Sequence, residues 1–373
     1  MRFSVAEISS PELKRQFIDL PNLIYDHNNN HFVYPLRFEI EDKISPRRNP
    51  FFKYGKVQLF GVLDEQNSMV GRVAAIINPY HEKIHREKAG FFGMLETIND
   101  KQVISMLVNR VKTFLKKEGC SKLFGPVNFT TNDESGILIE GFNYSASLLC
   151  AYNEKYYPGL LEYCHFSKAV DMLAYIGLVE HMYPEKYDRI INRIENNRDV
   201  IIRTFEKKKK EDDIRIICDL YNECFKNVWG YVPLTIDEAS EMAKKFLTFY
   251  DPELIWIVFV KGEPAGFILG LPDINQILKN LKGRLFPIGI VKLYMNKNKI
   301  DSIRVLAMGV APAFRNIGIE CLLINKIHKR MREKIYRSGE FSFVMENNVR
   351  MRRVLENLGF RVYKRYRIYE TDI

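Results

Sequence analysis

The chain has 373 residues, 46% of them hydrophobic and 27% charged, and a formal net charge of +10 at pH 7. The length exceeds one ordinary core and predicts two domains, and the composition excludes a disordered or fibrous chain. No apolar run approaches the ~18–20 residues that cross a bilayer, and no secretion signal follows the N-terminus. We therefore expect a cytoplasmic protein without membrane association.

The first half of the chain predicts a strand, a helix, a hairpin, and then strands alternating with helices. The expected strands are 3–8, 57–63, 69–77, 90–96, 122–128 and 168–175, and the expected helices are 11–25, 100–119 and 156–163. Residues 180–198 are rich in charge and Asn, which is typical of a connector.

The second half repeats this order. The expected strands are 200–205, 255–260, 265–271, 303–310, 341–345 and 361–370, and the expected helices are 213–228, 236–249, 320–335 and 349–358. Residues 274–300 are an insertion. The repeat predicts a duplication at domain scale, with an α/β fold of mixed α+β sheets and domains at 1–185 and 195–373.

A glycine-containing turn follows the apolar strand at 303–310 and leads into a helix. The first amides of a helix lack internal partners, so such a turn is a site for phosphate. Arg315 would add positive charge, and Gly318 would let the backbone approach a ligand closely. This segment therefore predicts an anion site.

The same segment resembles the GNAT acetyltransferase superfamily. Val310, Pro312, Arg315 and Gly318 follow the order of its signature, with one residue of slack, whereas Glu320 stands where a small residue is usual. The resemblance implies acetyl-CoA or another acyl-CoA as donor. It implies that pantetheine pairs with the backbone of Met308, Gly309 and Val310. It also implies that the pyrophosphate binds the amides of Arg315, Asn316, Ile317, Gly318, Ile319 and Glu320.

A second match runs from Asn348 to Gly359-Phe360, and Asn348 joins the predicted cofactor-binding residues. The family often has a tyrosine where this chain has Leu355. A leucine cannot donate a proton to the leaving thiolate, so water, Tyr363 or a residue of the other domain has to do so. We predict Tyr363 as a catalytic residue.

The first half lacks a phosphate loop, and its segment Gly125–Phe129 resembles bacterial tandem-GNAT proteins of about this length. A dense set of polar side chains in this half predicts an acceptor pocket. Its members are Asn128, Thr131, Asn132, Glu134, Tyr152 and Tyr156. The alternative is a loop built from Asx and hydroxyl turns.

Glu96 lies on the strand where GNAT enzymes often place a general base, and burial would raise its pKa toward the working range. The alternative is a carboxylate that caps the following helix. His81 and His85 are four residues apart, but a loop setting and the absence of CxxC spacing lead us to expect no metal.

The leading hypothesis is an acyl-CoA-dependent N-acyltransferase, monomeric or homodimeric, that acts on a small-molecule amine by direct attack. One alternative is a tRNA-dependent aminoacyl transferase. It is favoured only by residues 326–373, which hold thirteen Lys or Arg against six Asp or Glu. The other alternative is a degenerate CoA-binding or scaffold protein, favoured by Leu355 and Glu320.

Overall fold

The structure is a computed structural model that describes residues 2–25, 31–181, 186–247, 250–283, 289, 295–334 and 336–373. The chain divides into two compact units. The first comprises Met1–Asp171, Leu278–Val291 and Lys364–Ile373, and the second comprises Met172–Ile277 and Lys292–Tyr363. These units differ from the predicted domains because each sheet is completed by a strand from the other half of the sequence.

The first unit contains the elements up to the start of β7. Its strands are β1 (Ser4–Glu7), β2 (Lys56–Leu63), β3 (Met69–Ile77), β4 (Ala89–Thr97), β5 (Lys122–Gly125), β6 (Ile137–Glu140) and the first residues of β7 (Ser167–Leu178). Its helices are α1 (Pro11–Asp19), α2 (Pro21–Ile24), α3 (Arg37–Lys43), α4 (Pro79–His85), α5 (Lys101–Lys117) and α6 (Tyr157–Tyr163).

The following elements lie mainly in the second unit. The strands are β8 (Val200–Thr204), β9 (Ile255–Val260), β10 (Glu263–Pro272), β11 (Ser302–Val310), β12 (Ser338–Met345) and β13 (Arg361–Asp372). The helices are α7 (Lys186–Glu195), α8 (Lys210–Phe225), α9 (Ile236–Phe246), α10 (Asn275–Leu278), α11 (Ile319–Glu333) and α12 (Val349–Asn357). None of the helices described here combines the length and apolar character needed to cross a bilayer.

The sheet of the first unit has the order β1-β2-β3-β4-β5-β13, and β6 also pairs with β13. Its pairs are antiparallel except for the parallel pair β4–β5. The C-terminal strand supplies Tyr366, Ile368 and Tyr369, each at most 1% exposed. The last ten residues of the chain therefore belong to the first unit, where they contribute these three buried side chains.

The sheet of the second unit has the order β7-β12-β11-β10-β9-β8, with β11 and β12 parallel. Residues Met172 to Leu178 of β7 pair with β12. A core of branched aliphatic and aromatic side chains packs α11 and α12 against this sheet. The mixed α/β organisation confirms the predicted fold class.

Three differences from the predicted elements have local causes. The predicted helix at 11–25 is divided at Leu20, because Pro21 cannot donate the next helical hydrogen bond. The predicted connector contains α7, whose Ile191 and Ile194 are buried against Leu322. The predicted loop around His81 is wrong, since His81 lies on α4. Of the predicted insertion, residues 284–288 and 290–294 lie outside the described residues.

Candidate functional site

The parallel strands β11 and β12 of the second unit pair only over their first halves. Their register runs from Ser302–Ser338 to Val305–Phe341. Beyond that point β11 continues beside β10 as far as Val310, while β12 continues beside β7. The two strands therefore diverge at the segment that the sequence assigned to pantetheine.

A bulge in β11 lies at the start of this divergence. Val305 and Ala307 pair with successive residues of β10, so Leu306 is the extra residue. The bulge reverses the alternation of faces. As a result Met308 and Val310 pack toward the core under α11, whereas Gly309 faces α8, where an added Cβ would lie 2.8 Å from Cys224 Sγ.

The turn after β11 is shaped for an anion. A 3-10 turn at Pro312–Phe314 is followed by two residues of positive φ, Asn316 and Gly318. Gly318 is the N-cap residue of α11, and as a glycine it has no side chain that could accept the first amides of the helix. The first-turn amides and the positive end of the helix dipole are therefore left for an external acceptor. Nε of Arg315 donates to the carbonyl of Val310 at 3.2 Å.

Gly318 is also required by packing. A Cβ at this position would lie 2.5 Å from Cγ2 of Ile190 and 2.9 Å from Cδ1 of Ile194, both on α7. Its φ of 98° is in the region that favours glycine. A larger residue here would disturb the fold, so Gly318 is a poor position at which to test ligand binding.

Glu320 and Asn348, two of the predicted cofactor-binding residues, both have partners within the protein. Glu320, in the first turn of α11, forms an ion pair with Arg350 of α12. Oδ1 of Asn348 accepts a hydrogen bond from the Met351 amide at 3.1 Å, so Asn348 caps α12.

Leu355 and Tyr363 occupy different environments. Leu355 is fully buried in the core of the second unit. Tyr363 donates its hydroxyl hydrogen to Oε2 of Glu340. Glu340 in turn accepts a hydrogen bond of 2.5 Å from Ser342 Oγ, which itself accepts one of 2.8 Å from Arg304 Nε.

The corresponding strands of the first unit, β4 and β5, leave no open gap between them at this position. The pairing of β4 with β5 ends at Phe91–Phe124, and Met94, three residues further along β4, has a φ of 51°. Here Oδ1 of Asn128 accepts from the Met94 amide at 2.7 Å, and the Val127 amide donates to the Phe92 carbonyl at 2.8 Å. The protein's own residues therefore occupy the gap.

The helix after β4 is closed to anions as well. Oδ1 of Asp100 accepts hydrogen bonds from the amides of Gln102 and Val103, at 2.7 and 3.1 Å. A capping carboxylate supplies the negative charge that a phosphate would otherwise bring. Asp100, and not Glu96, caps this helix, so the alternative role considered for Glu96 is wrong.

Glu96 is the centre of a buried cluster in the first unit. Tyr25 and Tyr157 donate hydrogen bonds to its Oε2 at 2.9 and 2.7 Å, and Nη2 of Arg72 lies 3.9 Å from its Oε1. Burial raises the pKa of Glu96 despite these partners, and the charge of Glu134 adds to the rise. The cluster can therefore hold a proton on Glu96 more easily than an exposed carboxylate can.

The polar loop of the first unit is held largely by its own side chains. Nδ2 of Asn128 donates to Oε2 of Glu134 at 3.3 Å, and Nζ of Lys43 donates to Asp133 at 3.0 Å. Burial is also the main cause of a raised pKa at Glu134. The backbone N–H of Asn132 donates to Thr130 Oγ1, as in a hydroxyl turn, and Thr131 lies beside it in the same turn.

The two predicted tyrosines join the Glu96 cluster at its edges. The carbonyl of Tyr152 accepts a hydrogen bond of 3.2 Å from Tyr25. The hydroxyl of Tyr156 donates to the Thr97 carbonyl at 2.7 Å. The structure thus brings Glu96, Tyr152 and Tyr156 together through Tyr25 and neighbouring backbone.

The sequence patterns did not predict roles for Arg72, Arg304 and Glu340, nor for Tyr25 and Tyr157. A signal for the first three is present, because each is the one charged residue of its apolar strand, β3, β11 or β12. A buried charge needs a partner, so these strands indicate paired charges. The two tyrosines carry no comparable signal, since aromatic residues are common throughout the chain.

The positive charge of residues 326–373 is partly neutralised by neighbours. Among the described residues, at least seven of its thirteen cations lie within 4 Å of a carboxylate: Lys326, Lys329, Arg330, Arg350, Arg352, Arg365 and Arg367. Lys364 is buried and donates to Ser147 Oγ. More than half of these cations are therefore paired with carboxylates of the protein itself.

Comparison with known proteins supports the resemblance. Residues 214–360 match the acetyltransferase (GNAT) family. The protein YghO of Escherichia coli K12 is 30% identical over 366 residues, which cover 96% of this chain and 93% of that protein. The bacterial ceramide synthase of Caulobacter vibrioides is 29% identical over 377 residues, with coverages of 99% and 97%.

Solved structures show the same fold. A tandem GNAT protein from the clavulanic acid biosynthesis pathway aligns over 100% of this chain and 98% of its own, with a TM-score of 0.55 and 11% identity. A probable N-acyltransferase from Enterococcus faecalis aligns over 100% and 73%, with a TM-score of 0.55 and 10% identity. The resemblance predicted from the sequence is confirmed: the chain belongs to the acetyltransferase (GNAT) family.

Proposed function

We propose that the chain is an acyl-CoA-dependent N-acyltransferase whose donor site lies in the second unit. The observation that carries the proposal is the divergence of β11 from β12 beside an uncapped helix N-terminus. The first unit has the corresponding strands, but Asn128 closes the gap and Asp100 caps the helix. One donor site per chain follows from this contrast.

The proposed donor contacts come mainly from the backbone. The amides of residues 315–320 would bind the pyrophosphate, with the helix dipole of α11 favouring its negative charge. The edge of β11 from Met308 to Val310 would pair with pantetheine. Arg350 would neutralise Glu320, so the carboxylate would not repel the phosphates.

The proposed reaction is direct attack of a neutral amine on the thioester carbonyl. The nitrogen forms the new bond to carbon, the bond from carbon to sulfur breaks, and the nitrogen proton ends on the sulfur of CoA. Burial raises the pKa of Cys224, beside Gly309, to about 12. This thiol stays protonated at neutral pH, which argues against an acyl-cysteine intermediate. Tyr363 is the proposed proton-handling group.

We propose a long-chain amino alcohol as the acceptor. The support is the relative named as a bacterial ceramide synthase, which aligns over 99% of this chain. A ceramide is the amide of a long-chain amino alcohol and a fatty acid, so the same acceptor class goes with a fatty acyl-CoA donor. Acetyl-CoA, the donor favoured by the sequence resemblance, serves as the comparison donor in the test below.

The polar cluster of the first unit is proposed to take part in acceptor recognition. Glu96 and Glu134 are buried carboxylates with raised pKa values, and a nearby cationic or hydroxyl group would stabilise their charge. A role for Glu96 as the general base stays a prediction, as do the contacts predicted for Thr131 and Asn132. Extensive pairing of the C-terminal cations speaks against the tRNA alternative.

The test is a turnover assay with the full chain. Palmitoyl-CoA or acetyl-CoA is incubated with a C18 amino diol, and the amide is measured by mass spectrometry together with the release of free CoA thiol. The proposal expects amide with palmitoyl-CoA at the higher kcat/KM. Binding of acyl-CoA without amide from any amine of a broad panel would contradict the enzyme proposal and favour the scaffold alternative.

A further inference from the structure

We propose that Glu340 is a positioning residue that orients Tyr363 and takes its proton during acyl transfer. This inference rests on the proposed function and assigns a role to a buried side chain that no resemblance assigned. Glu340 lies on β12 as the register partner of Arg304 on β11. Both side chains are 4% exposed, so each charge requires the other.

The contacts of Glu340 form a chain with two different ends. At the inner end Arg304 Nε lies 3.8 Å from Oε1, and Ser342 bridges the two groups with hydrogen bonds of 2.8 and 2.5 Å. At the outer end Oε2 accepts the hydroxyl hydrogen of the half-buried Tyr363. The nearby buried cation favours the charged form of Glu340, and an ionised carboxylate can accept the proton of the phenol.

The position of this chain relative to the strand divergence favours a role in the reaction. Glu340 is one residue before the last paired residue of β12, and Arg304 is one residue before the last paired residue of β11. Their neighbours Ile303, Val305 and Phe341 belong to the core beneath α11. By strand alternation the charged pair lies on the opposite face, as does Gly309.

Several strands supply groups that contact Glu340. They include Arg304 from β11, Tyr363 from β13 and Ser342 from β12 itself. On the β7 side, its register partner is the apolar Ile176. Arg304 and Tyr363 are thus a cation and a phenol that both act on the proton affinity of this carboxylate.

The proton step balances without any added reactant. As the amine nitrogen bonds to the thioester carbon, its proton moves to the Tyr363 oxygen while the Tyr363 proton moves to Glu340. The bond from carbon to sulfur then breaks, and its electron pair stays on the CoA sulfur. The proton returns from Glu340 through Tyr363 to that sulfur, which restores both side chains. Tyr363 would thus supply the hydroxyl that Leu355 lacks.

The experiment compares Glu340→Gln, Tyr363→Phe and the double variant in the turnover assay, with calorimetry of acyl-CoA binding. Each single variant is expected to lower kcat about 10²-fold, a typical contribution of general acid–base catalysis. The Kd for palmitoyl-CoA is expected to stay within about threefold of wild type. The double variant should be no slower than either single variant, because both remove one relay.

The matched control is a second tyrosine–glutamate pair in the same unit. Tyr175 donates to Oε1 of Glu356 at 2.7 Å, and Tyr175→Phe is expected to keep kcat within about twofold of wild type. Glu340→Asp should recover part of the lost rate, because it keeps the charge.

The outcomes separate this inference from the proposed function. The relay is overturned if wild type is active and Glu340→Gln has an unchanged kcat. It is also overturned if the losses of the two single variants multiply in the double variant. The acyltransferase proposal stands in both cases. If Glu340→Gln fails to fold, a normal kcat in Tyr363→Phe overturns the relay by itself. Absence of wild-type turnover would overturn the proposed function.

Discussion

Glu320 and Arg350 form an ion pair at the start of α11, at the position where the family signature has a small residue. The carboxylate is only 14% exposed, whereas the guanidinium is 46% exposed. The departure at position 320 therefore comes with its own neutralising partner on α12. In this account the charge of Glu320 is masked when a phosphorylated ligand is bound.

This relationship predicts that Arg350→Ala weakens acyl-CoA binding. The uncompensated carboxylate would repel the pyrophosphate by about 1 kcal/mol, or roughly fivefold in Kd. Isothermal calorimetry of the single variant and of Arg350→Ala with Glu320→Ala measures the effect. The second substitution should restore binding; a double variant as weak as the single one would show that Arg350 contacts the ligand directly.

Because β13 belongs to the sheet of the first unit, a substitution in this C-terminal strand should destabilise strands from the first half of the sequence. Ile368 is fully buried in the first unit, and Ile368→Ala should lower the free energy of unfolding by about 2–5 kcal/mol. Hydrogen exchange should show faster opening of β5 and β6. Val362→Ala, at a 37% exposed position of the same strand, is the control. Unchanged exchange in β5 with Ile368→Ala would argue against this placement of the strand.

The raised pKa of Glu96 predicts how the stability of the protein depends on pH. Burial raises its pKa above the ordinary value of 4.5, so the folded state binds more protons than the unfolded state between the two pKa values. The free energy of unfolding should therefore fall as the pH rises through that window. Glu96→Gln cannot ionise, so its stability relative to wild type should increase from pH 4 to pH 8.

Urea denaturation of both proteins across this range checks the prediction. Glu12→Gln, at an exposed position of α1, is the matched control. A constant difference between wild type and Glu96→Gln at all pH values would mean that the carboxyl titrates alike in the folded and unfolded chain.

The burial of Leu355 predicts that the tyrosine often found at this position in the family cannot be introduced without loss of stability. Its side chain is fully buried, so Leu355→Tyr would overpack the core and bury a hydroxyl, at a cost of about 1–3 kcal/mol. Turnover should not rise, and Leu355→Met should cost less than about 1.5 kcal/mol. A gain in kcat from Leu355→Tyr would contradict the role proposed for Tyr363.

Local sequence signals predicted most elements because their residues alternate or recur at the right period. The loop after β11 could be predicted as a candidate anion site because Val310, Pro312, Arg315 and Gly318 are close in sequence. The exchange of strands was not, because Ile368 is apolar in either sheet and only long-range pairing decides between them. The cluster around Glu96 joins Tyr25, Arg72 and Tyr157, whose separation in sequence gives no hint of contact.

The central claim, that the loop after β11 binds acyl-CoA, is tested most directly by calorimetric titration of three proteins with palmitoyl-CoA. Wild type is compared with Ile317→Glu, which places a carboxylate at a 39% exposed loop position, and with Ile236→Glu, at a 42% exposed position on α9. The account predicts one molecule bound per chain by wild type and Ile236→Glu, and at least tenfold weaker binding by Ile317→Glu. Equal binding by all three proteins, or no binding by wild type, would contradict it.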